Sequence, residues 1–185
     1  MTQETKEALR KRLLIQLRSQ KEEDRIKKSR VIETRLFAMP EFQRSRTILF
    51  YASFDGEVET FAMMKHAQQL GKSLALPTVQ KSPRKITPTS VSDLAALIAG
   101  PFGIMQPSPS ERTLDVRSLD LVLVPAVAFD RSNNRLGRGA GFYDRFLGEL
   151  PPDIPTVGLA FDFQVLDRLD HLASHDHPVS YVISG

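Results

Sequence analysis

Apolar positions in the first forty residues recur with helical spacing. Leu9, Leu13 and Leu17 fall on one stripe that Leu14 widens, which predicts a helix over 4–18. Ile26, Ile32 and Leu36 predict a second over 22–38, stopped by Pro40. Beyond that point the pattern changes to short apolar runs. TILFY (47–51), SLALP (73–77), LVLVP (121–125), TVGLAF (156–161) and SYVIS (180–184) each read as a buried strand. Between them, Thr60 is placed to cap a helix that runs through Leu70 to a stop at Gly71. SDLAALIAG (92–100) predicts a short helix, and FYDRFLGEL (142–150) another, ended by Pro151 and Pro152. The stretch 79–90, rich in Pro, Lys, Ser and Thr, predicts a loop, and 101–120 is mostly turn punctuation. Buried strands alternating with helices predict an α/β protein whose mostly parallel sheet is covered on both faces. No internal repeat or clear linker interrupts it.

Composition leaves that picture intact and narrows the setting. The 185 residues are 41% hydrophobic and 25% charged, as in ordinary globular proteins, and are enough for one domain with a sizeable core. No apolar run is long enough to span a bilayer, and MTQETKEALRKRLL places charge where a secretory leader would carry its apolar stretch. The chain has no cysteine, which excludes disulfides and thiolate metal sites and fits a reducing compartment. The expectation is a cytoplasmic protein without a membrane partner. Residues 1–46 hold 13 Lys+Arg against 7 Asp+Glu, whereas the rest of the chain is net acidic. These cations are interleaved with the leucine stripe, so they read first as the solvated face of an amphipathic helix. Small anions come next as partners. Nucleic acid comes last, because no aromatic residues interleave to stack on bases.

The candidate chemistry is concentrated in RLGRGAGFYDRF (135–146). Gly137, Gly139 and Gly141 weaken any helix or strand they join. They lie in a segment that leads into a predicted helix start, where outward-pointing N–H groups and the helix dipole favour an anion such as phosphate. Arg135 and Arg138 add guanidinium forks that match phosphate oxygens. Asp144 would be repelled by phosphate alone and makes sense beside it if Mg²⁺ lies between. Other readings stay open. The glycines could form a plain surface turn. A Walker A loop is excluded because no Gly-Lys-Ser/Thr follows, and a dinucleotide site with Asp162 as the ribose acid ranks second. His171, His175 and His177 raise a zinc site, although Pro178 disfavours the helix that their spacing would need. A nucleotide enzyme of another specificity and a basic-arm nucleic-acid module also remain.

The longer stretch LVLVPAVAFDRSNNRLGRGAGFYDRFL closely resembles the signature of the 5-formyltetrahydrofolate cyclo-ligase family. KEALR (6–10), EVET (57–60), Gln164 and the pair His175-Asp176 resemble that family's other landmarks, in the same order. The resemblance implies an ATP- and Mg²⁺-dependent enzyme that converts 5-formyltetrahydrofolate to 5,10-methenyltetrahydrofolate, ADP and phosphate. It also implies a single three-layer αβα domain over 1–185, similar to the ribose-5-phosphate isomerase and CoA-transferase group, working as a monomer on small molecules without nucleic acid.

Carried over by position, Arg135, Leu136, Gly137, Arg138, Gly139, Ala140, Gly141, Phe142 and Tyr143 would wrap the ATP phosphates. Arg138, Tyr143 and Asp144 would be catalytic, and Asp144 and Asp176 would hold Mg²⁺. Lys6 and Arg10, at i and i+4 on the first helix, would reach the nucleotide, with Arg10 also near the folate. Phe54 and Glu59 would line the folate site, Glu59 accepting hydrogen bonds from the pterin. Each has a plainer alternative: surface charge for Lys6 and Arg10, helix start for Glu59, core for Phe54. The chain departs from the family pattern in three places. Phe142 stands where a tyrosine is usual, YVISG lacks the usual Thr-Glu, and 82–100 has no aromatic of the kind that flanks the pterin.

Overall fold

The computed structural model describes residues 4–170, 173 and 176–185. Helix α1 (Lys6–Arg18) is capped by the Thr5 hydroxyl, which accepts the Ala8 amide. Helix α2 (Glu22–Ala38) opens on three acids that suit the positive end of its dipole. Pro40 ends α2 as expected, but it also starts a short helix, α3 (Pro40–Arg44), because proline is well suited to a first helical position.

The main sheet contains β1 (Thr47–Leu49), β2 (Ser73–Gln80), β3 (Lys85–Val91), β6 (Leu121–Val124), β9 (Thr156–Ala160) and β11 (Tyr181–Ser184), in the order β11-β9-β6-β1-β2-β3. Every pairing is parallel except β2 with β3. Residue alternation along the strands explains why both faces are covered. Ile48, Leu121, Leu123, Val157 and Leu159 share a core with Leu17, Ile32 and Leu36 of α1 and α2 and with Met63 and Met64 of α4 (Phe61–Gln69). Their neighbours Leu49, Val122, Val124 and Ala160 turn to the other face and pack with Phe146 and Leu147 of α5 (Phe142–Glu149).

Two small sheets complete the fold. β7 (Ala128–Asp130) pairs with β8 (Arg135–Leu136) and with β10 (Val165–Leu166), while β4 (Ile98–Ala99) pairs with β5 (Met105–Gln106). Leu13 of α1 packs on Val127, Ala128 and Leu136, tying the first helix to the β7–β8 hairpin.

Three sequence expectations fail here. The expected loop 79–90 is instead most of a β-hairpin, with Val79 opposite Ile86 and Pro77 opposite Pro88. Pro77 lies past the end of β1 and Pro88 lies on the edge strand, so neither removes a donor that a third strand needs. The expected helix over 92–100 is a single turn, Leu94–Ala96, capped by Asp93, after which the chain extends into β4. The helix cap expected from Thr60 is likewise supplied by another residue, Glu59, whose carboxylate accepts the Phe61 and Ala62 amides at 2.8 and 3.0 Å.

Candidate active site

The glycine-rich segment leaves a β-hairpin rather than the strand at Leu121–Val124. Asp130 builds the hairpin turn: its carboxylate accepts the amides of Ser132 and Asn134 at 2.9 Å each, and that of Leu169 at 3.0 Å. Arg135 therefore starts β8 instead of lying in a loop. Its guanidinium is buried and ion-paired with Asp144, while its Nε has no hydrogen-bond partner among the described residues. An alanine methyl at Gly137 would lie 2.8 Å from Arg135 Nη1, so this glycine gives the guanidinium its room. Gly139 and Gly141 have φ of 99° and 72°, conformations that side chains resist. Gly141 is also the N-cap of α5 and supplies no side chain to its first turn, leaving the helix-start N–H groups available to a ligand. Arg10 approaches from α1 and donates Nε to the Gly137 carbonyl at 2.9 Å.

This loop forms one wall of a cavity of about 430 Å³ beyond the carboxyl ends of the central strands. Tyr51, Phe54, Pro77, Ile86, Met105 and Tyr143 give it a mainly apolar lining. Phe102 stands at its edge with φ of 65°, half exposed, and makes an edge contact with Phe142 at 6.1 Å between centroids. Into this lining the chain places one buried acid, Glu57. Arg138 reaches it from the glycine loop, donating Nε and Nη2 to Glu57 Oε1 at 3.2 and 3.0 Å and Nη1 to Asp55 Oδ2 at 2.9 Å. Its guanidinium carbon lies 4.2 Å from the centre of the Phe54 ring. Burial pushes the Glu57 carboxyl up to about 6 even though Arg138 pulls it down. Burial, with Glu57 adding to it, also raises the Tyr51 and Tyr143 hydroxyls, so both stay protonated donors at neutral pH.

Most of the residues singled out from sequence meet at this cavity: Phe54, Arg135, Gly137, Arg138, Ala140, Gly141, Phe142, Tyr143 and Asp144 all line it. Leu136 does not, because its side chain is core beside Leu13 and Leu169. Glu59 does not line it either; besides capping α4, it borders a smaller polar cavity that shares Phe54 and Asp55 with the main one. Glu57, two residues earlier in the same GEVET, is the acid of that motif that lines the larger cavity. Phe102 supplies an aromatic just past 82–100. Burial distinguishes the two acids, and sequence reasoning had no access to it.

Lys6 pairs with Asp176 at 2.7 Å, and Asp176 also accepts the Ala173 amide. Lys6 and Arg10 thus leave one helix face for different partners. Among the histidines of the zinc reading, His171 and His175 lie outside the described residues, and the His177 ring packs against Gly148 of α5. Among the described residues no cluster of three or more His, Asp or Glu side chains is arranged to hold a metal. The dinucleotide alternative fits poorly, since Asp162 does not line the cavity and the glycines follow a hairpin.

The sequence model of the 5-formyltetrahydrofolate cyclo-ligase family matches residues 2–185. The chain belongs to that family. The 5-formyltetrahydrofolate cyclo-ligase of Mus musculus is 31% identical over 190 residues, an alignment that covers 96% of this chain and 92% of the mouse protein. The Escherichia coli K12 cyclo-ligase is 30% identical over 154 residues, covering 82% and 84% of the two chains. In structure, the chain is similar to Aquifex aeolicus 5,10-methenyltetrahydrofolate synthetase, solved by NMR, with a TM-score of 0.85 and 34% identity over 97% of this chain and 89% of that one. The mainly parallel sheet described above is thus one shared with a cyclo-ligase relative.

Proposed function

We propose that this chain, acting as one unit over 1–185, closes 5-formyltetrahydrofolate to 5,10-methenyltetrahydrofolate at the expense of ATP with Mg²⁺, releasing ADP and phosphate. One observation carries the reading: Arg138 rises from an anion-suited glycine loop and ends on the one acid buried in an adjoining apolar cavity, so two unlike ligand sites meet at one guanidinium. That arrangement suits an enzyme that brings a nucleotide phosphate to a ligand held in the apolar cavity.

The chemistry asks for little covalent work by the protein. Ring closure joins N10 to the N5-formyl carbon and expels the formyl oxygen, which is a poor leaving group as it stands. ATP supplies the phosphoryl group that lets this oxygen depart as phosphate. The chain's task is then to orient the partners, exclude water and balance charge. Glu57, ionised above about pH 6, offers its oxygens to the N–H groups of the pterin. Phe102 and Phe142 at the mouth present ring faces and edges to a planar ligand. Backbone N–H groups from Gly139 to Tyr143, with Arg10 beside them, suit the phosphates, and Lys6 lies one turn before Arg10 on the same helix. Arg138 stands between the two and meets the charge on the phosphoryl group in transit, and the protonated Tyr143 hydroxyl supplies a donor next to it.

For the metal, Asp144 and Asp176 are the residues that would hold Mg²⁺. Hard oxygen donors are the right kind, and Mg²⁺ bound chiefly through phosphates needs only one or two carboxylates. Both carboxylates are ion-paired here, Asp144 with Arg135 and Asp176 with Lys6. Mg²⁺, when bound, spreads the charge of the terminal phosphates.

A small-molecule role also suits the surface. Of the N-terminal cations, Arg12, Arg18 and Arg25 are paired with Glu4, Asp55 and Glu22, and the segment has no interleaved aromatics to stack on bases. A monomer in the cytoplasm is the setting we adopt for a cysteine-free folate enzyme. The test is direct: purified chain, 5-formyltetrahydrofolate, ATP and Mg²⁺ should generate the methenyl absorbance. No such product would refute the reading.

A further inference from the structure

Asp55 holds a backbone conformation that few side chains accept, with φ of 57°. Aspartate and asparagine are among the few residues that tolerate it. Its carboxylate sits between two arginines from distant parts of the chain. Arg18, the last residue of α1, donates Nε to Oδ1 at 2.7 Å and Nη2 to Oδ2 at 2.8 Å, a two-pronged contact. Arg138, from the glycine loop, donates Nη1 to Oδ2 at 2.9 Å. The hydrogen bonds from Arg18, then the one from Arg138, hold the Asp55 carboxyl below the usual carboxylate range.

Arg138 needs this second anchor. Glu57 receives both Nε and Nη2 on a single oxygen, Oε1, while its other oxygen accepts the Phe54 amide at 3.2 Å. Two donors converging on one atom fix the distance of the guanidinium but leave its plane able to pivot. Asp55 on the third nitrogen stops the pivot, and the plane then lies against Phe54.

We infer that Asp55 is a positioning residue for ring closure. Clamped by Arg18, it orients the Arg138 guanidinium where the glycine loop meets the folate cavity, and it does so through Arg138 rather than by any reaction of its own. The end of α1 thereby becomes part of the device that aims Arg138. This inference rests on the role given to Arg138 under the proposed function.

Asp55→Asn is the informative variant, because asparagine accepts the same φ and nearly the same volume while losing the charge and one acceptor. The melting temperature should stay close to that of the parent. The kcat should fall on the order of tenfold, as expected for one lost charge-assisted hydrogen bond, with the KM for ATP little changed. In an Arg138→Ala background the same substitution should add nothing, since its route of action is already gone. A second readout needs no turnover: the Arg138 Nη–H NMR signals of the free protein should be resolved and slow to average in the parent, where Nη1 is held by Asp55, and should average by faster guanidinium rotation in Asp55→Asn. Unchanged signals, a kcat within about twofold of the parent, or losses that add to those of Arg138→Ala would overturn the inference. Failure of the parent chain to form methenyl product would instead count against the function, and the NMR readout would still judge Asp55.

Discussion

Glu57 concentrates the electrostatics of the site in one side chain. Buried in the cavity, its carboxyl titrates near 6 instead of 4.5, because lost solvation outweighs the attraction of Arg138. The sign of the consequence follows by linkage. The fold favours the protonated acid, so the contribution of Glu57 to stability is fully present below about 4.5 and is lost as pH rises through about 6. Keeping it ionised at neutral pH costs on the order of 2 kcal/mol, which the site tolerates if the ionised form is the one that grips the folate. Affinity for 5-formyltetrahydrofolate, measured without ATP, should therefore weaken as pH falls below about 6. Glu57→Gln should bind weakly and lose this dependence. A Gln variant that retains the parent's pH profile would remove Glu57 from the pterin contact. The family resemblance put Glu59 in the folate site, and nothing in the sequence of GEVET separates its two acids. Their difference is that Glu59 can reach the open amides of α4 while Glu57 is walled in by Phe54, Arg138 and Tyr51.

At the scale of elements, the glycine loop and the helix that it starts make the clearest test of whether backbone here serves a ligand or a turn. Gly141 and Gly71 form a matched pair: φ is 72° and 78°, and open space surrounds the position of an added methyl in both. Alanine at either should cost about 1 kcal/mol of backbone strain, lowering the melting temperature by about 2–4 °C. Of the two, only Gly141 lines the cavity, at the part of its wall proposed for the phosphates. Gly141→Ala should lose ATP affinity by tenfold or more, as its methyl takes space needed by an oxygen, while Gly71→Ala should bind ATP normally. Equal affinities in the two variants would make Gly141 a turn residue only. The elements themselves were legible where apolar spacing was local and strong, as in α1, α2, β6 and β9. They were not where long-range pairing decides. Lys-Ser-Pro-Arg at the β2–β3 turn carries loop composition, yet it only joins two strands whose β-branched residues meet across the pair. The β7–β8 hairpin was hidden because its turn is held by one side chain, Asp130.

Across the whole molecule, strands from the middle and end of the chain lie side by side. This brings EVET, the turn after β4 and the 135–146 segment to one end of the sheet. The contiguous motif was readable because its residues are near neighbours in sequence. Phe102 and Glu57 were not, since only the fold sets them opposite that motif. The central claim is that the two ligands react across Arg138, with the formyl oxygen leaving on phosphate. The most direct measurement uses 5-formyltetrahydrofolate carrying ¹⁸O in its formyl group, turned over by the purified chain with ATP and Mg²⁺, with the released phosphate examined by mass spectrometry. The account predicts one ¹⁸O in each phosphate released, in step with methenyl product. Methenyl product accompanied by unlabelled phosphate, with the ¹⁸O recovered in water, would contradict it.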